Sequence, residues 1–327
     1  GVILLYFAFR GVDLGEMVIK FKKANFFWII LSMICGLLAF FSRGIRWIYL
    51  IESMGYKAGT GNSINAVIVS YLANLAFPRI GEITRCTALN QVDEVPVSKL
   101  FGTIILERAI DMLMLLLLVT LTVLLNIEVF GGFFMDMLAQ KKAQTNIPSH
   151  YLFIGLSILF GVLLVIFLFR KKITKLALIN KLLLLWENVK EGLRTILNMK
   201  KNKLAFFIHT VFIWTMYYLM TYLCIFSLEA TADLSMSESL FLMVAGGLGM
   251  IAPTQGGIGA YHLMIKGGLG VLGFVEEIGL LFATLVHGAQ TVTILLGGSV
   301  SMLLLYLERK KKGEVLTENR VDTEKKS

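Results

Sequence analysis

The sequence predicts an all-α protein, a polytopic transmembrane helical bundle that contains two opposed re-entrant hairpins. The chain is 57% apolar and 16% charged, with a mean hydropathy of +0.76, whereas soluble domains are about 25% charged. Basic residues are concentrated beside the long apolar runs, and two further apolar runs are broken by proline and glycine. Apolar surface on this scale is stable where lipid is the solvent.

Five apolar runs are long enough to cross about 30 Å of hydrocarbon as helices. They cover residues 26–50, 101–127, 151–169, 204–228 and 278–307. The run Val2–Phe9, ahead of Arg10, is too short to span and lacks the basic start of a signal peptide. We expect it to be the end of a truncated first helix, which makes six spans.

The net charge of +9 lies beside these spans. Ten basic residues fall within 170–203, and Arg309–Lys312 follow the last run. This positive-inside pattern predicts that both segments are cytoplasmic and argues against a nucleic-acid partner. Helical spacing of apolar residues in the loop predicts an amphipathic helix on anionic lipids, with a solvated connector as the alternative. The expected division is a transmembrane domain, 1–308, and a charged cytoplasmic tail, 309–327.

Two apolar runs do not have the pattern of regular helices. Residues 64–85 contain Pro78 and Gly81, and residues 239–272 contain Pro253 and several glycines. Proline removes a backbone donor and glycine loosens the chain. The charge pattern places both ends of each run on one face of the membrane, and the two runs on opposite faces. Each run is therefore predicted to be a re-entrant hairpin, as in the inverted repeats whose broken helices meet at a transporter's substrate site.

Glu107, Arg108 and Asp111 form the first cluster of candidate site residues. Glu107 and Asp111 are four residues apart and share a helix face, from which Arg108 is turned by about 100°. Ionisable groups within a membrane are costly unless they are paired or hydrated, which favours a polar cavity. Interfacial charges that extend into water are the alternative.

Arg79, Glu82 and Arg85 form the second cluster, in the first predicted hairpin. A straight descent would place them beyond the midplane, where they need partners, and the acids of the first cluster are candidates. A guanidinium group suits a phosphate because its planar fork forms two parallel charge-assisted bonds. Ion pairs that fasten the hairpin to its neighbour are the alternative.

The third candidate is the glycine-rich sequence Pro253-Thr254-Gln255-Gly256-Gly257-Ile258-Gly259. It lacks the lysine ending of a P-loop. Its glycines leave amides near a helix start that can receive an anion, although tight helix packing is the alternative. His262 and His287 could titrate, but a lone membrane histidine is more often a helix contact.

No catalytic triad, metal-ligand spacing or nucleotide motif is present in the sequence, and the three cysteines are scattered. We therefore expect a protein that is not an enzyme and that uses no cofactor or metal.

Three motifs, together with Arg46-Trp47, occur in an order that resembles the lysylphosphatidylglycerol synthase transmembrane region. The motifs are Pro78-Arg79-Ile80-Gly81-Glu82-Ile83-Thr84-Arg85, Glu107-Arg108-Ala109-Ile110-Asp111 and Pro253–Gly259. The chain has Tyr261-His262 where the family commonly has an acid, and His287 where it often has arginine. The resemblance implies a flippase-like domain that moves a lipid with a phosphate-bearing headgroup. Because the chain ends in a short charged tail, we expect no synthase activity.

The leading hypothesis is a phospholipid flippase of the cytoplasmic (inner) membrane, with aminoacylated phospholipids among its candidate substrates. Arg79 and Arg85 would hold phosphate, the glycine-rich hairpin would offer amides, and Glu107 and Asp111 would balance charge or bind an amine. The alternatives are an accessory or catalytic membrane subunit that acts on lipid-linked substrates with a separate transferase, and a scaffold. The expected partners are phospholipid headgroups and anionic lipids; a separate lipid-modifying enzyme and a homo-oligomer stay open.

Overall fold

The computed structural model describes residues 2–10, 12, 14–126 and 202–324. In these ranges the regular elements are all helices, which confirms the all-α class. Labelled in chain order, the α-helices are α1 Val2–Phe9, α2 Leu14–Lys22, α3 Phe26–Ser53, α4 Thr60–Ala76, α5 Gly81–Asp93, α6 Val97–Leu125, α7 Lys203–Ile225, α8 Met236–Ile251, α9 Ala260–Val271 and α10 Glu276–Glu324, with short 3-10 helices at Glu229–Thr231 and Gln255–Gly257. The predicted span 151–169 and the basic loop up to residue 201 lie outside the described residues.

Four of these helices, α3, α6, α7 and α10, are long and apolar enough to cross a membrane. They coincide with four of the predicted runs, and α10 continues past the last of them. Large apolar side chains on their outer faces are exposed, among them Phe27 and Ile30 on α3 and Leu117 and Leu124 on α6. Such faces are stable against lipid rather than water. The protein is therefore a multi-pass membrane protein.

Helices α4 and α5 form a helical pair at the first predicted break. They have 17 and 13 residues, which gives lengths of about 25 and 20 Å, less than the hydrocarbon thickness. The Gly81 amide donates to Asn74 Oδ1 at 2.8 Å. A Cβ atom at Gly81 would lie 2.3 Å from the carbonyl oxygen of Ser70, so glycine allows α5 to fold closely against α4.

Helices α8 and α9 form a second helical pair at the other break. Helix α8 begins in a capping box, in which the Glu238 amide donates to Ser235 Oγ and the Ser235 amide donates to Glu238 Oε2. A Cβ atom at Gly249 would lie 2.9 Å from Tyr261 Cα, so α9 packs closely on α8. The structure has a break at each predicted Pro-x-x-Gly sequence; that these pairs re-enter the membrane from opposite faces stays a prediction.

The second bend, residues 252–259, contacts the end of α4, next to the first bend at residues 77–80. A Cβ atom at Gly256, in the second bend, would lie 2.4 Å from Leu75 Cδ2 at the end of α4. Helix α10 packs along both pairs, because a Cβ atom at Gly298 would lie 2.7 Å from Leu72 Cβ and His287 Nε2 lies 2.8 Å from the carbonyl oxygen of Gly256. Among the candidate site residues, Gly256 and His287 lie at this meeting point of α4, the second bend and α10.

Candidate functional site

Five charged side chains form one buried group, which we call the charge network: Arg43, Arg46, Arg85, Glu107 and Asp111. Each residue is at most 9% exposed. The first two lie on α3, the third on α5 and the two acids on α6. A charged side chain is rarely buried unless it is paired, and the contacts in this group supply the pairing.

Two carboxylates bridge three guanidinium groups in the charge network. Arg43 Nη2 donates to Asp111 Oδ2 at 2.8 Å, and its Nη1 lies 3.7 Å from Glu107 Oε1. Arg46 Nη2 donates to Glu107 Oε1 at 2.8 Å and to Asp111 Oδ1 at 3.0 Å. Arg85 Nη2 lies 2.7 Å from Glu107 Oε2, a close ion contact without the alignment of a hydrogen bond. Glu107 therefore contacts all three arginines.

Side chains from neighbouring helices hold the guanidinium groups in place. The guanidinium carbon of Arg85 lies 3.8 Å from the centre of the Trp47 ring, a distance at which the ring face attracts a cation. The Trp47 indole N–H donates to Thr103 Oγ1 at 2.7 Å, which fixes the ring. Arg46 Nη1 donates to Thr210 Oγ1 on α7 at 3.2 Å. Four helices thus converge on the network.

The charge network has an excess of positive charge. Its three guanidinium groups face two carboxylates, which leaves one positive charge without a counter-charge in the network. Among the residues that the structure describes, Arg43 Nε, Arg46 Nε and both Nε and Nη2 of Arg85 are buried without a hydrogen-bond acceptor. Buried donors are usually satisfied, so the excess charge and the three Nε–H groups without acceptors suit this group to an anion.

The structure brings some of the predicted site residues together and separates others. Arg85 and the two acids meet, as the shared face of Glu107 and Asp111 predicted. Arg108 points away from that face and forms a partly exposed pair with Glu82 at 3.4 Å. Arg79 is exposed on the first bend, with a left-handed backbone at φ 63. It contacts no carboxylate within the described parts of the chain.

The glycine-rich bend contributes no side chain to the charge network. Pro253 and Gln255 are exposed, and Gly257 and Gly259 are buried. Gly256 has a positive φ of 54, in the region that favours glycine.

Two of the bend's amides are already used inside it. The Gly257 amide donates to the carbonyl oxygen of Thr254 at 3.4 Å, and the Ile258 amide donates to that of Gln255 at 2.9 Å. The predicted anion site at this bend therefore has fewer free amides than the sequence indicated. His287 instead holds the bend to α10 through the carbonyl oxygen of Gly256.

Arg43 and Arg46 were not predicted as site residues from the sequence, in which Arg46 entered only through the Arg46-Trp47 pair. Helix α3 continues to Ser53, so both arginines lie within it. Their spacing of three residues places them on one helix face. Two arginines on a common face of an apolar helix, against two acids on a common face of another, were the signal in the sequence.

No group of three or more histidine, cysteine or acidic residues that could hold a metal ion occurs in the described ranges. Cys35, Cys86 and Cys224 are buried free thiols.

Comparison with known families agrees with the motifs around the network. The family model described as the lysylphosphatidylglycerol synthase TM region matches residues 1–298. The chain belongs to this family. The match covers the described residues of the charge network and both bends.

A curated relative is a UPF0104 membrane protein of Methanocaldococcus jannaschii, which is 28% identical over 112 residues. The similar region is 33% of this chain and 33% of the relative's length. No solved structure matches the chain.

Proposed function

We propose that this protein translocates a lipid with a phosphate-bearing headgroup across the cytoplasmic membrane. The observation that carries the proposal is the buried charge network, in which three guanidinium groups face two carboxylates. Ionisable groups within a membrane protein are costly and mark substrate pathways by default. A network whose only role was to hold helices together would be most stable with equal numbers of positive and negative groups.

The excess charge of the network matches the chemistry of a phosphodiester, which carries one negative charge. Arg85 is the leading candidate for the phosphate ligand, since its Nε has no acceptor in the described chain and its Nη2 contacts Glu107 without the alignment of a hydrogen bond. Arg43 and Arg46 would stay paired with the two acids. In this arrangement the acids orient the arginines and balance two of the three positive charges.

The two helical pairs support movement of a headgroup. Arg85 belongs to the first pair, and the bend of the second pair contacts Leu75 next to the first bend. Short broken helices that meet from opposite faces are typical of sites with alternating access. A shift of α5 relative to α6 would separate Arg85 from Glu107 and open the network to one side. The basic residues Arg309–Lys312 favour a cytoplasmic C-terminus.

Reconstituted vesicles test this function. The purified protein is placed in liposomes that contain either fluorescent phosphatidylglycerol or a fluorescent glucosyl-diacylglycerol, which has no phosphate. The rate at which the probe moves from the outer to the inner leaflet is measured and compared with the rate in protein-free liposomes. We expect the protein to accelerate the phosphate-bearing probe selectively. Equal rates for the two probes, or no acceleration of either, would contradict the proposal.

An aminoacylated phosphatidylglycerol is a useful third probe. Its amine could meet Glu107 or Asp111, but both acids already pair with arginines. We therefore expect no large preference for it over unmodified phosphatidylglycerol. A strong preference would indicate that the acids, rather than the arginines, bind the headgroup.

A further inference from the structure

Two buried histidines contact each other next to the second bend, and neither belongs to the charge network. The rings of His262 on α9 and His287 on α10 have centroids 5.1 Å apart and are nearly perpendicular. Each residue is 5% exposed. The proposed lipid path gives neither ring a role, and the pair directly contacts the segment that separates α8 from α9.

The hydrogen bonds of the pair identify where a proton can bind. Because a carbonyl oxygen only accepts, His287 Nε2 is the donor in its 2.8 Å bond to Gly256. The neutral ring of His287 therefore has its free lone pair on Nδ1. His262 Nδ1 is buried without a hydrogen-bond partner among the described residues. Each ring thus has a nitrogen that can take a proton.

The surroundings of the pair are largely apolar. Tyr261 stacks on the His287 ring with centroids 5.2 Å apart, and Phe9 on α1 lies 6.2 Å from the His262 ring. Cys224 on α7 belongs to the same buried cluster as Tyr261. Leu75 of α4, and Gly246 and Gly249 of α8, complete the packing around Tyr261 and the bend.

The charged groups of α9 and of the first turn of α10 are paired. Lys266 on α9 forms an ion pair with Glu276 on α10 and donates to the carbonyl oxygen of Ala8. Glu277 pairs with Lys20 on α2. None of the carboxylates in the described ranges contacts the histidine pair, so a proton that binds there has no counter-charge.

We propose that His262 and His287 form a proton-binding site that controls the docking of the second bend. An uncharged pair fits the packed state, in which His287 holds Gly256 against α4 and α10. Adding a proton places a charge in apolar surroundings, which is costly without a partner. A second proton would add repulsion between two rings in contact. Protonation therefore favours a state in which the bend separates and the rings meet water.

Hydrogen–deuterium exchange of residues 253–259 in the detergent-solubilised full chain tests this site. Exchange is measured at pH 7.5 and pH 5.5 and corrected for the known pH dependence of intrinsic amide exchange. An ordinary histidine titrates near pH 6.5, so one histidine that becomes accessible on opening gives about a tenfold loss of protection over this range. We expect at least that loss in the bend of the wild-type protein.

Glutamine variants separate protonation from hydrogen bonding. His287→Gln keeps an N–H donor for the Gly256 carbonyl oxygen but takes no proton, so the bend stays protected and its pH dependence shrinks. The double variant, which also carries His262→Gln, is expected to show no pH dependence of protection in the bend. His209→Gln is the matched control: this histidine contacts Ser42 Oγ on α3 through Nδ1 at 2.7 Å, and its removal leaves the bend's pH dependence unchanged.

Equal protection of the wild-type bend at both pH values would overturn the proposal, whether or not the variants fold. The same loss of protection in the double glutamine variant as in the wild type would also overturn it. Because exchange is measured without lipid transport, the result is independent of the function proposed for the charge network.

Discussion

Replacement of Glu107 with glutamine is the sharpest perturbation of the charge network. Its carboxylate contacts Arg46, Arg85 and Arg43 at 2.8, 2.7 and 3.7 Å. Glutamine keeps the size of the side chain and removes its charge. The three buried guanidinium groups would then face Asp111 alone, and the excess of positive charge would rise from one to two.

The size of the effect follows from burial. Removing one partner of a buried ion pair costs about 3–5 kcal/mol, because the other charge stays buried and uncompensated. A free-energy change of that size lowers the melting temperature of a large domain by roughly 6–20 °C. Adding Arg85→Met removes one guanidinium and returns the excess to one positive charge. The double variant is therefore expected to be more stable than the sum of the single changes predicts.

Thermal unfolding of the purified protein in detergent measures these effects. Glu82→Gln is the matched control, since Glu82 pairs with Arg108 at 3.4 Å on the surface and exposed pairs contribute about 0–1 kcal/mol. The melting temperature of this variant should stay within a few degrees of the wild type. If the Glu107→Gln and Glu82→Gln variants have the same melting temperature, the charge network does not hold α3, α5 and α6 together.

Two further predictions concern the first helical pair. Gly81→Ala should lower the free energy of unfolding by about 1–3 kcal/mol, because the new Cβ atom meets the carbonyl oxygen of Ser70 at 2.3 Å. Gly102→Ala should instead raise the free energy of unfolding by about 0.5–1 kcal/mol, because Gly102 is a helical glycine whose added Cβ meets nothing within 4 Å. Equal melting temperatures of the two variants would refute the close packing of α4 and α5. Arg79→Asn should leave the melting temperature unchanged or raise it slightly, because asparagine tolerates the left-handed backbone at φ 63. A loss of several degrees would show that Arg79 has a structural partner.

The sequence predicted the helices well, because their signal is local. The apolar runs at 26–50 and 204–228 correspond to α3 and α7 within a few residues. Each Pro-x-x-Gly sequence marks a helical break, since proline and glycine act on their own turn of backbone. The predicted helix ends were less accurate. Charged residues at the ends of α3 and α10 continue these helices, because an apolar run reflects contact with lipid and not the full length of the helix.

The candidate site was predicted in part, because pairing between distant helices has no local signal. The spacing of Glu107 and Asp111 fixes their shared face, but only the packing of α3 against α6 brings Arg43 and Arg46 to them. Arg79 instead lies on the surface, although it is only six residues before the buried Arg85. The contact of His287 with Gly256 likewise depends on how α10 crosses the second bend.

A pair of arginine variants tests whether the buried charge network binds the phosphate of a transported lipid. Arg85→Gln removes the buried guanidinium whose Nε has no acceptor in the described chain and whose Nη2 contacts only Glu107. Arg108→Gln makes the same change at an arginine whose side chain is 52% exposed.

Both variants are reconstituted, after a melting curve shows that they are folded, and the transbilayer movement of fluorescent phosphatidylglycerol is measured. Loss of one charge-assisted contact, about 1.5–3 kcal/mol, corresponds to a decrease of roughly tenfold or more. We expect this decrease for Arg85→Gln and a wild-type rate for Arg108→Gln. A folded Arg85→Gln protein that moves the lipid at the wild-type rate would contradict this expectation.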